Sequence, residues 1–149
     1  MARRCDLTPV AVHGALKRAV DRWRREPAIT RLRTDLTELI QGAAGVCEVA
    51  ELPDLLLAAR GSSQEEPLRS IQAMAVARVV VEVERASAEP RLIVRRVQQK
   101  VFVATSRSMI ELAIKLGKQA DRLAVEDPLV PPLRVTETLR EEADRAQAT

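Results

Sequence analysis

Aromatic side chains are almost absent from this chain: Trp23 and Phe102 are the only two, and there is no tyrosine. Proteins that grip single-stranded nucleic acid stack successive bases on aromatic rings, so this composition argues against that mode. Contact with duplex through cations and helix faces stays open. Histidine is as scarce. His13 stands alone, and Cys5 and Cys47 have no partner at metal-ligand spacing, so a zinc site cannot be assembled. Two thiols and no secretory start point to a reducing, cytoplasmic setting. No apolar run approaches the roughly 18 residues a membrane span needs. The expectation is a chain with no membrane contact, no metal and no other cofactor.

What is present is an aliphatic core. The hydrophobic fraction is 46% over 149 residues, enough for one ordinary domain or a small domain with a helical extension. The net charge is only +3, but it is unevenly spread. Residues 1–35 carry nine Lys/Arg against four Asp/Glu, residues 36–66 one against six, and residues 87–109 five against one. Positive charge therefore gathers at the N-terminal end and near residues 91–105, as in a molecule with one basic face.

Thr8-Pro9 reads as a helix cap followed by proline at the first helical position. Val12, Leu16, Ala19 and Trp23 form one apolar face behind it, and Pro27 ends that helix. A second helix spans 28–42 with Ile29, Leu32, Leu36, Leu39 and Ile40 inward. A short extended step at 46–49 leads to a third helix, about 49–60, with Leu52, Leu55, Leu56 and Ala59 inward and Pro53 in its first turn, where the missing N–H is tolerated. Residues 61–66 form a polar turn. Residues 68–86 are ambiguous: Val79, Val81 and Val83 alternate as a strand would, yet Ile71, Ala75, Val79 and Val83 keep a spacing of four and nothing breaks the chain. One long, central, buried helix is the reading taken. Ser106 or Ser108 caps a helix to about 125, with Met109, Leu112, Leu116, Ala120 and Leu123 inward. A proline-rich linker follows, then a weakly amphipathic helix, 133–147, with a fraying end.

Residues 91–97 and 100–105 are two β-branched runs around Gln98-Gln99. Pairing across those two residues sets Val97 against Lys100, Arg95 against Phe102 and Ile93 against Ala104, with Leu92, Val94, Val101 and Val103 on the opposite, core face. Two-residue hairpin loops want positive φ, which glutamine does not readily supply, so a longer or slightly strained loop is expected. Arg95, Arg96 and Lys100 crowd the tip.

Helix, short strand, helix, turn, long helix and basic hairpin, in that order over residues 28–105, resemble a winged helix-turn-helix domain; the step 45–52 is similar to the start of such a unit. The fold class implied is mainly α: a winged-helix-like bundle with one β-hairpin and a C-terminal helical extension. Its parts are 1–27 (an N-terminal helix), 28–105 (the core) and 106–149 (the extension). By this resemblance Arg69 and Gln72 start the recognition helix, where side chains meet base edges. Ser62 and Ser63 face phosphate, Arg95, Arg96 and Lys100 grip the backbone, and Gln98 offers donor and acceptor at the tip. A second resemblance rests on 45–62, Arg69, Ala77-Arg78, Glu82 to Glu84, Pro90-Arg91, 94–96, 101–104, 120–124 and 127–129. It is to accessory segments of large actinobacterial phage-defence or signalling proteins, which implies one part of a larger machine.

No catalytic set competes. There is no Gly-rich loop and no His-Arg-Asp catalytic loop of a kinase, and His13 has no positioned partner. Glu65-Glu66 and Glu141-Glu142 read as solvated charge, Met74 and Met109 as core filler, and Trp23 as a core anchor. Two readings stay open. One is a non-catalytic, mainly electrostatic double-stranded DNA-binding domain using Arg69, Gln72, Arg95, Arg96, Gln98 and Lys100. The other is a protein-interaction or assembly module on the same fold, as a homodimer or with a protein partner, because the recognition helix is unusually apolar and only Arg69, Gln72, Arg78 and Arg85 are available on it. No small-molecule ligand is evident.

Overall fold

Thr8 Oγ1 accepts the Ala11 N–H at 3.2 Å and Pro9 follows at the first helical position. The first helix, α1 (Pro9–Trp23), therefore begins where the cap signal puts it. The computed structural model describes residues 8–147, so Cys5, the arginines at 3 and 4 and the last two residues lie outside it. The chain divides after Thr105 into two units.

In the first unit, α1 is followed by α2 (Pro27–Gly42), β1 (Val46–Glu48), α3 (Leu52–Arg60), α4 (Leu68–Ala86), β2 (Ile93–Val97) and β3 (Lys100–Ala104). Pro27 both ends α1 and starts α2. Gly45, with φ 79°, turns the chain out of α2 while its N–H reaches the Ile40 carbonyl at 2.8 Å. The segment 46–48 is more than a link. It pairs antiparallel with β3, Val46 against Ala104 and Glu48 against Phe102, giving a three-stranded sheet of order β1-β3-β2. With the helices of the second unit this is a mainly helical chain with a small three-stranded antiparallel sheet, consistent with a winged-helix-like bundle with one hairpin.

The ambiguous stretch is one unbroken helix, α4. Its valines are helical because α1, α2, α3 and β2 all pack on it, and burial on several sides lets β-branched residues satisfy packing in a helix. The inward stripe differs from the expected one. Ala73, Ala77, Val80, Val81, Val83 and Glu84 are buried, while Ile71 is 60% exposed and Ala75 is exposed. The neighbouring helices close onto the small Ala73 and Ala77, which rotates Ile71 outward. For similar reasons Val20 rather than Leu16 is the buried residue of α1, and Ala59 of α3 is exposed. The core joins Leu36, Ile40, Cys47, Leu52, Leu56, Ala77, Val80, Val81, Leu92 and Val103.

The second unit holds α5 (Arg107–Glu126) and α6 (Pro132–Gln147), which pack on each other. Ser106 caps α5 by accepting the Met109 N–H at 3.3 Å. Lys115 and Glu142 pair across the two helices at 2.5 Å. Among the described residues, no helix is long and apolar enough to cross a membrane.

Candidate nucleic-acid interface

The hairpin register is the one expected: Val97 against Lys100, Arg95 against Phe102 and Ile93 against Ala104. Alternation along each strand then divides the side chains between two faces. Val94, Val103 and Cys47 lie on the core side with Leu92, which is 2% exposed. Ile93, Arg95, Phe102, Lys100 and Glu48 share the outer side. Arg95 and Arg96, one residue apart, therefore project to opposite faces of the ribbon. The loop has the two residues 98 and 99, and its turn is made by glutamine after all: Gln98 adopts φ 53°. A non-glycine in this region carries about 1–2 kcal/mol of strain, which the flanking ladder holds in place.

The expected site residues fall on two elements, the hairpin and α4. Arg95, Arg96, Gln98 and Lys100 are exposed together at the tip, but Lys100 donates to Glu48 Oε2 at 2.8 Å. That carboxylate, through its hydrogen bond first and its charge second, holds the Lys100 ammonium above the usual lysine range. Arg69 and Gln72 are on α4, away from the hairpin in sequence and both exposed. Arg69 is turned back on its own helix start, pairing with Glu66 at 2.9 Å. Glu66 also accepts from Ser70 Oγ at 2.7 Å, and Ser70 and Arg69 together hold its carboxyl below the usual range. Ser62 Oγ accepts the Gln64 N–H at 3.1 Å within an exposed turn.

Beside Arg69 and Gln72, Leu68 and Ile71 are 54% and 60% exposed. A cleft of about 230 Å³ on the same unit is lined chiefly by Leu32, Leu56, Leu57, Gln72, Ala73 and Val76. The first turns of α4 thus present apolar groups and two neighbouring glutamates, Glu65 and Glu66, where a base-reading helix would present donors. A second cleft, about 340 Å³, runs between α1 and the end of α4, with exposed His13 beside Lys17, Asp21, Arg24, Glu82 and Arg85.

Two features escaped the sequence reading. Glu48 was taken only as part of an extended step, yet it restrains Lys100. Glu84 is buried with Arg33 Nε at 2.6 Å, and its other oxygen accepts the backbone N–H groups of Arg91 at 2.7 Å and Leu92 at 3.3 Å. Its signal was a carboxylate in the valine-rich second half of the central helix, since charges are almost never fully buried unless paired. Cys47 is buried, and its thiol is pushed up to about 12 by burial, by its hydrogen bond to Glu51 and by the charges of Glu51 and Glu48. Among the described residues, no group of three or more His, Cys, Asp or Glu could hold a metal ion.

No protein-family model matches the chain, and no solved structure matches it. Among curated proteins it is similar to the "Probable kinase PglW" of Streptomyces coelicolor, with 29% identity over 137 residues. The match covers 76% of this chain and 9% of that protein. This chain therefore corresponds to a small segment of a much longer relative, which fits the resemblance to an accessory segment. The word kinase describes that whole protein, and no enzyme domain is evident in this segment.

Proposed function

We propose that this chain binds the backbone of double-stranded DNA through its wing, without catalysis and with little reading of sequence. The observation that carries this reading is the exposed tip of the hairpin, where Arg95 and Arg96 lie on opposite faces of the ribbon with Gln98 between the strands. A ribbon with cations on both faces can reach phosphates on both strands flanking a groove. Phosphate contacts position a protein but carry no sequence information directly. The start of α4 supports the second half of the proposal: with Arg69 held by Glu66 and with Leu68 and Ile71 outward, it has few donors for base edges. No cofactor is called for. The test is a titration of a mixed-sequence duplex at two salt concentrations. Binding should weaken steeply with salt, and Arg95→Ala with Arg96→Ala should lower the affinity and flatten the salt dependence by about two contacts. No shift of duplex at low salt would overturn the proposal.

A second reading, an assembly module that pairs two copies of the chain, is favoured by a different observation: Leu68 and Ile71 are exposed on α4, the helix whose Gln72, Ala73 and Val76 line an apolar cleft. Light scattering over a concentration series tests it. A dimer that Leu68→Glu with Ile71→Glu dissolves would support it, and a strict monomer would end it.

A further inference from the structure

We infer that α1 and the turn after it form a second phosphate-binding surface, made by Arg18, Arg22 and Arg25, and that it contributes more of the duplex affinity than the wing does. This inference rests on the duplex-binding reading above and names where most of its charge lies.

Arg18 and Arg22 are four residues apart on α1, hence neighbours on one helix face. Arg25 lies in the turn that closes the helix, where its N–H reaches the Arg22 carbonyl at 3.0 Å. Such an i to i+3 turn brings the side chains of its first and last residues into line, so Arg25 extends the row. All three side chains are exposed. The opposite side of the helix is anchored: Val20 is 5% exposed, Val12, Ala19 and Trp23 are half-buried, and α1 packs on α4.

Five other arginines of this unit have a side-chain partner, and the row is distinguished by bringing three arginines without one onto a single helix face. Arg33 is tied to Glu84, Arg60 to Asp35, Arg69 to Glu66 and Arg85 to Glu82, and Arg91 donates to Thr34. On the wing, Lys100 is tied to Glu48. Among the described residues, no carboxylate pairs with the guanidinium groups of Arg18, Arg22 or Arg25. Asp21 stands among them and lines a cleft with Arg24 and Arg25 without an ion pair, so the row keeps a net positive charge whose counter-ions a phosphate backbone would displace on binding. The spacing suits that partner. Seven residues at a rise of ~1.5 Å put Arg18 and Arg25 about 10 Å apart along the axis. That is roughly the axial length of three phosphates of one strand, at ~3.4 Å each. The row carries no large apolar side chain, as a lipid-inserting helix would, and a duplex backbone fits it better than a bilayer.

The experiment is fluorescence anisotropy of a labelled mixed-sequence duplex against the whole chain over a salt series. Three variants are compared: Arg18→Ala/Arg22→Ala/Arg25→Ala, Arg95→Ala/Arg96→Ala, and a control that removes equal charge from exposed positions of the second unit, Lys118→Ala/Arg134→Ala/Arg140→Ala. The α1 variant should lower the slope of log affinity against log salt by about 2–3 and weaken binding more than tenfold at low salt. The wing variant should lose less and the control least. Alanine is favourable on an exposed helix, and unchanged circular dichroism and urea midpoint will confirm folding. Should those shift, the same three positions as lysine, which keep the charge, must retain the wild-type slope. Wild-type binding with an unchanged slope in the α1 variant would overturn the inference and leave the wing reading standing, as would an equal loss in the control. Absence of binding by the unmodified chain would instead overturn the parent reading.

Discussion

Arg33 on α2 donates from Nε to Oε1 of Glu84 on α4 at 2.6 Å, with the Glu84 side chain wholly screened from water. The other carboxylate oxygen takes the N–H of Arg91 and of Leu92 at the start of the hairpin, and Arg91 Nη1 reaches Thr34 Oγ1 at 2.6 Å. One carboxylate therefore joins the second helix, the central helix and the wing. Leu92, held by that contact, is 2% exposed in the core, so the network also sets which face of the hairpin turns inward.

Breaking this pair should be costly. Glu84→Ala leaves Arg33 uncompensated and two backbone donors without their acceptor, and about 3–5 kcal/mol of stability should be lost. Arg33→Met with Glu84→Leu removes both charges together and should lose much less, because paired apolar replacement is often near neutral. Urea denaturation of the three proteins checks this. A single variant as stable as the double would contradict the network.

Glu48 should restrain the wing. Glu48→Gln frees Lys100, whose ammonium that carboxylate now holds above its usual range. Duplex affinity at low salt should rise a few-fold, and the salt slope should steepen by about one contact. An anisotropy titration at several salt concentrations measures both.

Gln98 sits at φ 53°, where glycine is unstrained. Gln98→Gly should therefore stabilise the chain by up to about 1 kcal/mol without moving the Val97 to Lys100 register. The urea midpoint would show this; a loss of stability would mean that the side chain contributes more than the backbone strain costs.

Cys47 should be inert in the folded chain. Burial and the neighbouring Glu51 raise its thiol from 9.0 to about 12. The folded pKa lies above the unfolded one, so the thiol's contribution to stability is complete below pH 9 and is lost as pH rises from 9 toward 12. Alkylation by iodoacetamide at pH 8 should follow unfolding, measured by mass spectrometry of the Cys47 peptide with and without urea, with free glutathione as the reference thiol.

Much of the fold was legible because it depends on local signals. The Thr8-Pro9 start, the Pro27 boundary, the polar break at 61–66 and the alternation of 91–105 each act within a few residues, and each marks an element observed. On α1 the expected Val12, Ala19 and Trp23 do face inward while Val20 replaces Leu16 as the buried residue, and on α4 Ala73 and Ala77 are buried in place of Ile71 and Ala75. Helical spacing leaves Ile71/Ala75 and Ala73/Ala77 as competing stripes, and only the approach of neighbouring helices chooses between them. The tip cations were legible as a cluster in sequence. Their strengths were not: Lys100 meets Glu48 across 52 residues of chain and Arg69 meets Glu66 within its own turn, so neither is a bare charge.

By itself the sequence determined the element order, the register of the hairpin and the positive charge at the N-terminal end and on the wing, because periodicity, turn residues and charge act along the chain. Tertiary structure alone decided that residues 46–48 pair with β3 as a third strand of the hairpin's sheet, that Glu84 is buried as a clasp, and which arginines are neutralised. Those outcomes depend on groups far apart in sequence meeting in space, where a carboxylate at hydrogen-bond distance outweighs any pattern in the residues around it.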